Sequence, residues 1–345
     1  MNEKLNEKID LFPRTRFMGS KQKLLRFIYE NVSDIKGEKV LDAFSGSGCV
    51  SYLFKAMGKE VETNDFLKYS FVIALATIEN NYYKLSQNDI KLLLKDNKSH
   101  EGFISRTFEG LYFTDIDNLF LDQTYANIEL LENPYKKALA LASLARACVK
   151  KRPRGIFTYV GMRYDDGRND IKLSMKEHFK KSIAQFNSCV FDNGRKNRAF
   201  NKDIFNLDDA DYDIVYFDPP YCSLYSDNDY SRRYHFVEGL MSNWEHVKIN
   251  PKTKTKKFSR FLSPFDSKQS VYDAFERIFK KFEDSVLIVS YSSNSLPTFE
   301  EMIEIMKKYK SKVVVEEFNH KYSFGNQKND LENNTVKEYL FIGKD

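Results

Sequence analysis

Cysteine is scarce in this chain. Four residues in 345, Cys49, Cys148, Cys189 and Cys222, are scattered with no Cys-x-x-Cys pair. That spacing argues against a zinc ribbon and against a secreted disulfide framework, and it fits a reducing, cytoplasmic setting. The five histidines fall in no ligand spacing, so no catalytic metal is expected. No run of about 18 apolar residues occurs, so no membrane-spanning helix is expected. The amino-terminal stretch MNEKLNEKID is charged throughout and leads into no apolar segment, unlike a signal peptide. With 14 glycines and 8 prolines the chain is neither collagen-like nor of low complexity. What remains is a globular chain, 42% hydrophobic and 30% charged, long enough for about two domains at roughly 150 residues each.

The net charge of +5 says little, but its distribution says more. Residues 149–155 read VKKRPRG and residues 195–202 read RKNRAFNK. Six Lys or Arg and no acid fall between Lys248 and Arg260. Such clusters suit contact with phosphates, or else they are solvated loops.

Periodicity organises the chain. Lys39 to Phe44 is a short apolar run ending in serine and glycine, which reads as a buried strand entering a tight turn. Cys49 to Met57 has helical spacing, Gly58 stops it, and Lys59 to Thr63 makes a second strand. This strand-helix-strand unit predicts a right-handed crossover within a parallel sheet. From about Phe66 to Phe191 long helical stretches follow, including Tyr135 to Lys151 and Asp170 to Phe186. Strand signals then return at Asp211 to Phe217, Ser285 to Tyr291, Lys312 to Phe318 and Val336 to Ile342. The expected architecture is an α/β sheet domain built from both ends of the chain, residues 1–80 plus 200–345, with a mostly helical insertion at 81–199.

Three sites carry chemistry. The turn Asp42-Ala43-Phe44-Ser45-Gly46-Ser47-Gly48 lets a ligand approach the backbone ahead of a helix amino terminus, although a plain strand-to-helix turn has the same look. Asp65, about 20 residues on, stands where a carboxylate accepts hydrogen bonds from ribose hydroxyls. A phosphate-loop NTPase is set aside: the position five before Gly19 is Arg14, and no strand precedes it. The most specific signal is Asp218-Pro219-Pro220-Tyr221, directly after the apolar strand. Two prolines break that strand at the sheet edge where α/β folds bind ligands. An aspartate beside a rigid carbonyl can accept both hydrogens of an exocyclic amino group, and Tyr221 can stack on a base.

With these residues in order, the chain resembles the amino-group DNA methyltransferases that use S-adenosylmethionine, specifically the Dam-like adenine methylases of the alpha group. Arg16-Phe17-Met18-Gly19-Ser20-Lys21 is similar to the family's amino-terminal segment, Asp42 to Gly48 to its cofactor loop, and Asp65 to its ribose-binding acid. Asp203-Ile204 resembles its pair around the cofactor adenine, and Asp218 to Tyr221 its catalytic tetrad. Phe17 stands where many relatives have tyrosine or tryptophan. The resemblance implies a Rossmann-like methyltransferase sheet of seven strands, the last antiparallel, and a target-recognition insertion.

It further implies site-specific methyl transfer from S-adenosyl-L-methionine to N6 of an adenine flipped out of double-stranded DNA. Cofactor contacts then fall to Phe17, Lys21, Asp42, Phe44, Ser45, Gly46, Gly48, Asp65, Asp203, Ile204 and Asp218. Cytosine-N4 methylation by the same pocket is the alternative, and a non-catalytic DNA-binding scaffold is the reading from another class. Covalent cytosine-C5 chemistry is set aside because Cys222 follows tyrosine, not proline. Lys150, Lys151, Arg152 and Arg154 are the first candidates for DNA contact, shaped by Pro153 and Gly155. Arg232 and Arg233 are the next, within Tyr225 to Glu238, which reads equally as a closing loop or a surface helix. A restriction endonuclease acting on the same site is an expected partner.

Overall fold

A computed structural model describes residues 1–161, 165, 167–223, 230–245, 247–259, 261–321 and 335–345. Its centre is a seven-stranded sheet. β1 (Lys39–Asp42), β2 (Glu60–Asn64), β3 (Arg198–Phe200), β4 (Ile214–Phe217), β5 (Val286–Ser292), β6 (Lys312–Lys321) and β7 (Thr335–Lys344) lie in the order β3-β2-β1-β4-β5-β7-β6. β7 runs antiparallel to both its neighbours, and the remaining pairs are parallel. The order reverses between β1 and β4, which pair through Val40 and Ile214. At such a switch point the crevice beyond the strand ends is open to a ligand.

The strands sort their side chains by alternation, as a two-faced sheet requires. Val40, Ile214, Tyr216, Ile288, Leu340 and Ile342 enter one core. Leu41, Val215, Phe217, Leu287, Val289 and Phe341 enter the other, against the helices Val271–Lys281 and Phe299–Met306. Burial on both faces explains why β4, the first four residues of β5 and Val40-Leu41 of β1 are apolar without alternation.

The first core also receives the helices of the middle segment. The helix Pro134–Lys151 starts at an Asn133 cap with proline in its first turn and is apolar around most of its circumference, as a helix enclosed on all sides must be. It packs against Met175–Cys189 and against Lys68–Ala74. Met175–Cys189 begins later than its periodicity indicates, because Ser174 and Glu177 form a capping box there. Arg146 is buried at this junction and donates to the Arg14 carbonyl and to Ser182 Oγ. No helix among the described residues is long and apolar enough to cross a membrane.

A buried lysine fixes the turn between sheet and helices. Lys55 donates to the carbonyls of Thr77, inside the π-helical turn Leu75–Glu79, and of Asn80, which caps it. Burial pushes its pKa down to about 7. The unfolded chain therefore holds this proton to higher pH, and the group adds stability as pH rises from about 7 toward the ordinary lysine value. Lys55→Met should remove that gain: in chemical denaturation, the midpoint difference between wild type and variant shifts in favour of wild type from pH 7 to pH 9.5. A constant difference would assign Lys55 no such linkage.

Candidate active site

Where β1 ends, Asp42 leads into a turn that only glycine accommodates twice: Gly46 has φ 49° and Gly48 φ 78°. A Cβ on Gly46 would meet the Phe17 ring at 3.2 Å. Gly48 then caps the helix Cys49–Ala56. Asp65, at the end of β2, clamps the turn, its two oxygens accepting from Gly46 N at 2.8 Å and Leu67 N at 2.9 Å. Asp42 Oδ2 accepts from Ser51 Oγ at 2.5 Å, while Asp42 Oδ1 and Ser45 Oγ are buried with no geometric hydrogen bond to any described residue. Burial pushes Asp42 up to about 7, with the charges of Asp218 and Asp65 adding to it; burial pushes Asp65 up to about 6 against the pull of its two amide donors.

These groups line a cleft across the carboxyl ends of β1, β2 and β4. Phe17, Phe44 and Phe66 give it aromatic walls, and Asp42, Asp65 and Asp218 give it acidic ones. Lys21 and Pro220 are at its edge as well. Pro219 is buried behind the wall.

Asp218 sits in a compact polar network. The Lys21 ammonium, 3% exposed, donates to Asp218 Oδ1 at 2.8 Å, to the Tyr221 hydroxyl at 2.7 Å and to the Gly19 carbonyl at 3.1 Å. Tyr221 Oη lies 3.1 Å from Asp218 Oδ1 and 3.4 Å from Glu338 Oε2. Burial opposes the charge on Lys21, but Asp218 and Glu338 outweigh it and hold its pKa above the usual value. Burial raises the Asp218 pKa, and Lys21 opposes the rise. Phe17 stacks on Tyr234 at 5.0 Å between ring centroids, and the Tyr234 hydroxyl accepts from Met18 N at 2.7 Å. A cation, two carboxylates and a phenol thus converge beside a cleft with aromatic and acidic walls.

The family profile for D12 class N6 adenine-specific DNA methyltransferases matches residues 17–292, which takes in every element of this cleft named so far except Glu338. The chain belongs to that family. Its similarity to individual relatives covers nearly the whole of this chain. It is 29% identical to the type II methyltransferase M2.HphI of Haemophilus parahaemolyticus, over 96% of this chain and 97% of that protein. It is 24% identical to M.NlaIII of Neisseria lactamica, over 94% and 98%. The type II methyltransferase M.FokI of Planomicrobium okeanokoites is 29% identical over 96% of this chain, which spans 53% of that longer protein. An adenine-N6 DNA methyltransferase of this class uses S-adenosylmethionine, and the cleft fits it. Aromatic walls suit the adenine ring, Asp65 keeps acceptor capacity for ribose hydroxyls, and the unpartnered Asp42 Oδ1 suits a cationic group.

Not every expected residue reaches the methyltransferase cleft. Asp203 is exposed and caps the short turn Ile204–Asn206 through Phe205 N, and Ile204 is in the core beneath the sheet. Gly48 lies behind the loop it shapes. Of the expected DNA contacts, Arg152 is corrected: it is fully buried, and its guanidinium donates to the carbonyls of Gly161 and Tyr159 while stacking on Tyr112 and Tyr159. Its role is to hold the loop that follows, because those carbonyls and rings satisfy it in place of a phosphate. Lys150 pairs with Asp170 at 3.3 Å and Lys151 with Asp117 at 3.4 Å. Arg154, with φ 56°, and Arg232 are exposed, and Arg233 is half-buried.

The stretch expected as either a loop or a helix resolves in part. Residues 225–229 lie outside the described residues, and Tyr230–Leu240 is a helix. It is no mere surface helix, since Tyr234, His235 and Glu238 are buried. Glu238 accepts from Lys68 N and Tyr69 N, each at 2.8 Å, capping the helix that follows Asp65. Glu338 and Tyr234 belong to the site's surroundings and escape a motif search. Glu338 had a signal, being an acid in phase with the buried Leu340 and Ile342 on β7.

Proposed function

We propose that this N6-adenine DNA methyltransferase is site-specific and works by direct transfer, with Asp218 and the Pro219 carbonyl accepting the two hydrogens of the target amino group. The observation that carries this reading is the position of Asp218 on the wall shared with the cofactor loop. The nitrogen lone pair of adenine's amino group is conjugated into the ring, and accepting its hydrogens favours a more tetrahedral, nucleophilic nitrogen. S-adenosylmethionine, when bound, supplies an electrophilic methyl group on a sulfonium. The chain's task is then alignment and electrostatics. Phe17, Phe44 and Ser45 with Asp42 and Asp65 hold the cofactor, Gly46 and Gly48 shape its loop, and Lys21 orients Asp218 and Tyr221. Tyr221 stacks on the flipped base. Asp203 acts at most on the outer side of the cofactor site, and Ile204 supports it from the core. Residues 81–199 read the DNA sequence, with Arg154, Arg232 and Arg233 facing the duplex.

Nucleoside analysis tests the reaction. Unmethylated genomic DNA incubated with the protein and S-adenosylmethionine, digested and measured by mass spectrometry, should yield N6-methyladenine. N4-methylcytosine, or no modified base, would overturn it. Relatives named as modification methylases and type II methyltransferases support a partner endonuclease acting on the same site, and the few scattered cysteines support a cytoplasmic setting. Genomic DNA methylated by this protein should resist that nuclease.

The acidic walls make cofactor binding pH-dependent. Asp42, at about 7, and Asp65, at about 6, are increasingly neutral below those values and ionised above them. A sulfonium cation favours the ionised forms, so calorimetric affinity for S-adenosylmethionine should rise between about pH 5.5 and pH 8. Asp42→Asn should flatten the upper part of that rise. A pH-independent affinity in wild type would remove both carboxylates from cofactor binding.

A further inference from the structure

Between Glu245 and Asp266 the chain has no acid and carries Lys248, Lys252, Lys254, Lys256, Lys257 and Arg260. Its described residues 247–259 are folded. Ile249 and Phe258 form an antiparallel bridge, Asn250 N donates to the Lys257 carbonyl at 2.7 Å, and the Asn250 carbonyl accepts from Thr253 N at 3.3 Å. Lys256 takes φ 53° to close the turn. The base of this hairpin is anchored in the helical region: the Tyr112 hydroxyl donates to the Thr255 carbonyl at 2.6 Å, and Phe258 packs edge-on to His235. The tip faces outward, with Lys252 and Lys254 exposed. Lys248, Lys252, Lys254 and Lys256 make no ion pair with any described residue, in contrast to Lys150 and Lys151.

Two described aromatics link the hairpin to a wall of the cleft. Phe258 contacts Phe261 at 5.5 Å between centroids, and Phe261 contacts Phe66, a wall of the cleft, at 6.0 Å. The next residue, Leu262, is 86% exposed, the largest exposure among the large apolar side chains described. A leucine held in water, next in the chain to the Phe261 that meets a phenylalanine of the cleft wall and within a stretch free of acids, matches the apolar wedges that enter DNA between base steps. Extruding a base costs a few kcal/mol of stacking, and an apolar side chain in the gap offsets part of that cost.

We propose that the hairpin 248–259 together with Leu262 is the principal DNA-gripping element of this chain, with the hairpin lysines on the phosphates beside the target and Leu262 filling the space the flipped adenine leaves. The wedge rests on the base-flipping reading above, whereas the phosphate grip does not. Three full-length proteins test the two parts: wild type, Lys252→Ala/Lys254→Ala/Lys256→Ala, and Leu262→Ala. Binding of a fluorescein-labelled duplex of arbitrary sequence is followed by anisotropy over a KCl series, with S-adenosylmethionine calorimetry confirming an intact fold. Each lost phosphate contact removes about 0.9 from the slope of log affinity against log salt, so the triple variant should lose about 2 to 3. An unchanged slope overturns the grip.

Leu262→Ala should keep the wild-type slope and cofactor affinity yet methylate unmethylated genomic DNA about tenfold more slowly at saturating DNA, with Leu262→Phe restoring most of the rate. A wild-type rate for Leu262→Ala overturns the wedge. Should wild type transfer no methyl group to DNA, the catalytic reading and the wedge fall together, and the salt slopes still decide the grip.

Discussion

Asp218→Asn should lower the single-turnover rate of methyl transfer by about 10²–10³-fold while leaving S-adenosylmethionine affinity within about threefold. The substitution keeps the volume and one acceptor oxygen. It turns the second oxygen into a donor, which opposes the hydrogens of an amino group instead of accepting them. Lys21 retains Glu338 as a nearby carboxylate, so the fold should survive. Rapid-quench measurement of labelled methyl incorporation separates the chemical step from binding. A rate within tenfold of wild type would show that Asp218 is no acceptor for the target.

Lys21→Met should be nearly as damaging, for a different reason. It leaves Asp218 and the buried Glu338 beside one another without the cation that now lies 2.8 Å from Asp218 Oδ1. Removing one partner of a buried pair costs about 3–5 kcal/mol. The sign of the pH dependence follows from the shifts. Burial already raises Asp218, and Lys21 is what opposes the rise, so the variant's carboxyl must climb further. A raised carboxyl is most stabilising below its unfolded value and loses that contribution as pH rises through the folded one. Thermal unfolding of the variant, compared with wild type, should therefore show a larger deficit at pH 8 than at pH 5. The acid limb of its rate profile should move to higher pH. A deficit independent of pH would mean that Lys21 and Asp218 are not electrostatically coupled.

How much of this was legible in the sequence depended on what buries each residue. β1, β4 and β5 announce themselves because both faces are covered, so Val40-Leu41 and Ile214 to Phe217 are apolar without interruption. The cofactor turn is legible through Gly46 and Gly48, which the backbone there requires, and the tetrad through two prolines that no central strand tolerates. β3 was not. It is a three-residue edge strand, Arg198–Phe200, inside a stretch whose basic character dominates. Arg152 misled because its partners are Tyr112, forty residues earlier, and the carbonyls of a loop whose path only the fold sets. Lys150 and Lys151 sit in the same cluster and are likewise met by Asp170 and Asp117, so that cluster's charge is largely answered within the protein. The converse holds for Lys252 and Lys254, whose stretch contains no acid to answer them.

The apolar core that joins β1, β2 and β4 to the helices Pro134–Lys151 and Met175–Cys189 bears on how such an enzyme changes its target. If residues 81–199 read the DNA sequence as proposed above, a reader built as a detachable cassette could be exchanged between relatives at its two junctions. Here Tyr52 on the first crossover helix donates to the Cys189 carbonyl, and Arg146 binds the Arg14 carbonyl, so an exchanged segment would cut through close-packed interior at many points. New specificity in this lineage is therefore to be sought in residue-by-residue drift on exposed loops, with wholesale shuffling disfavoured.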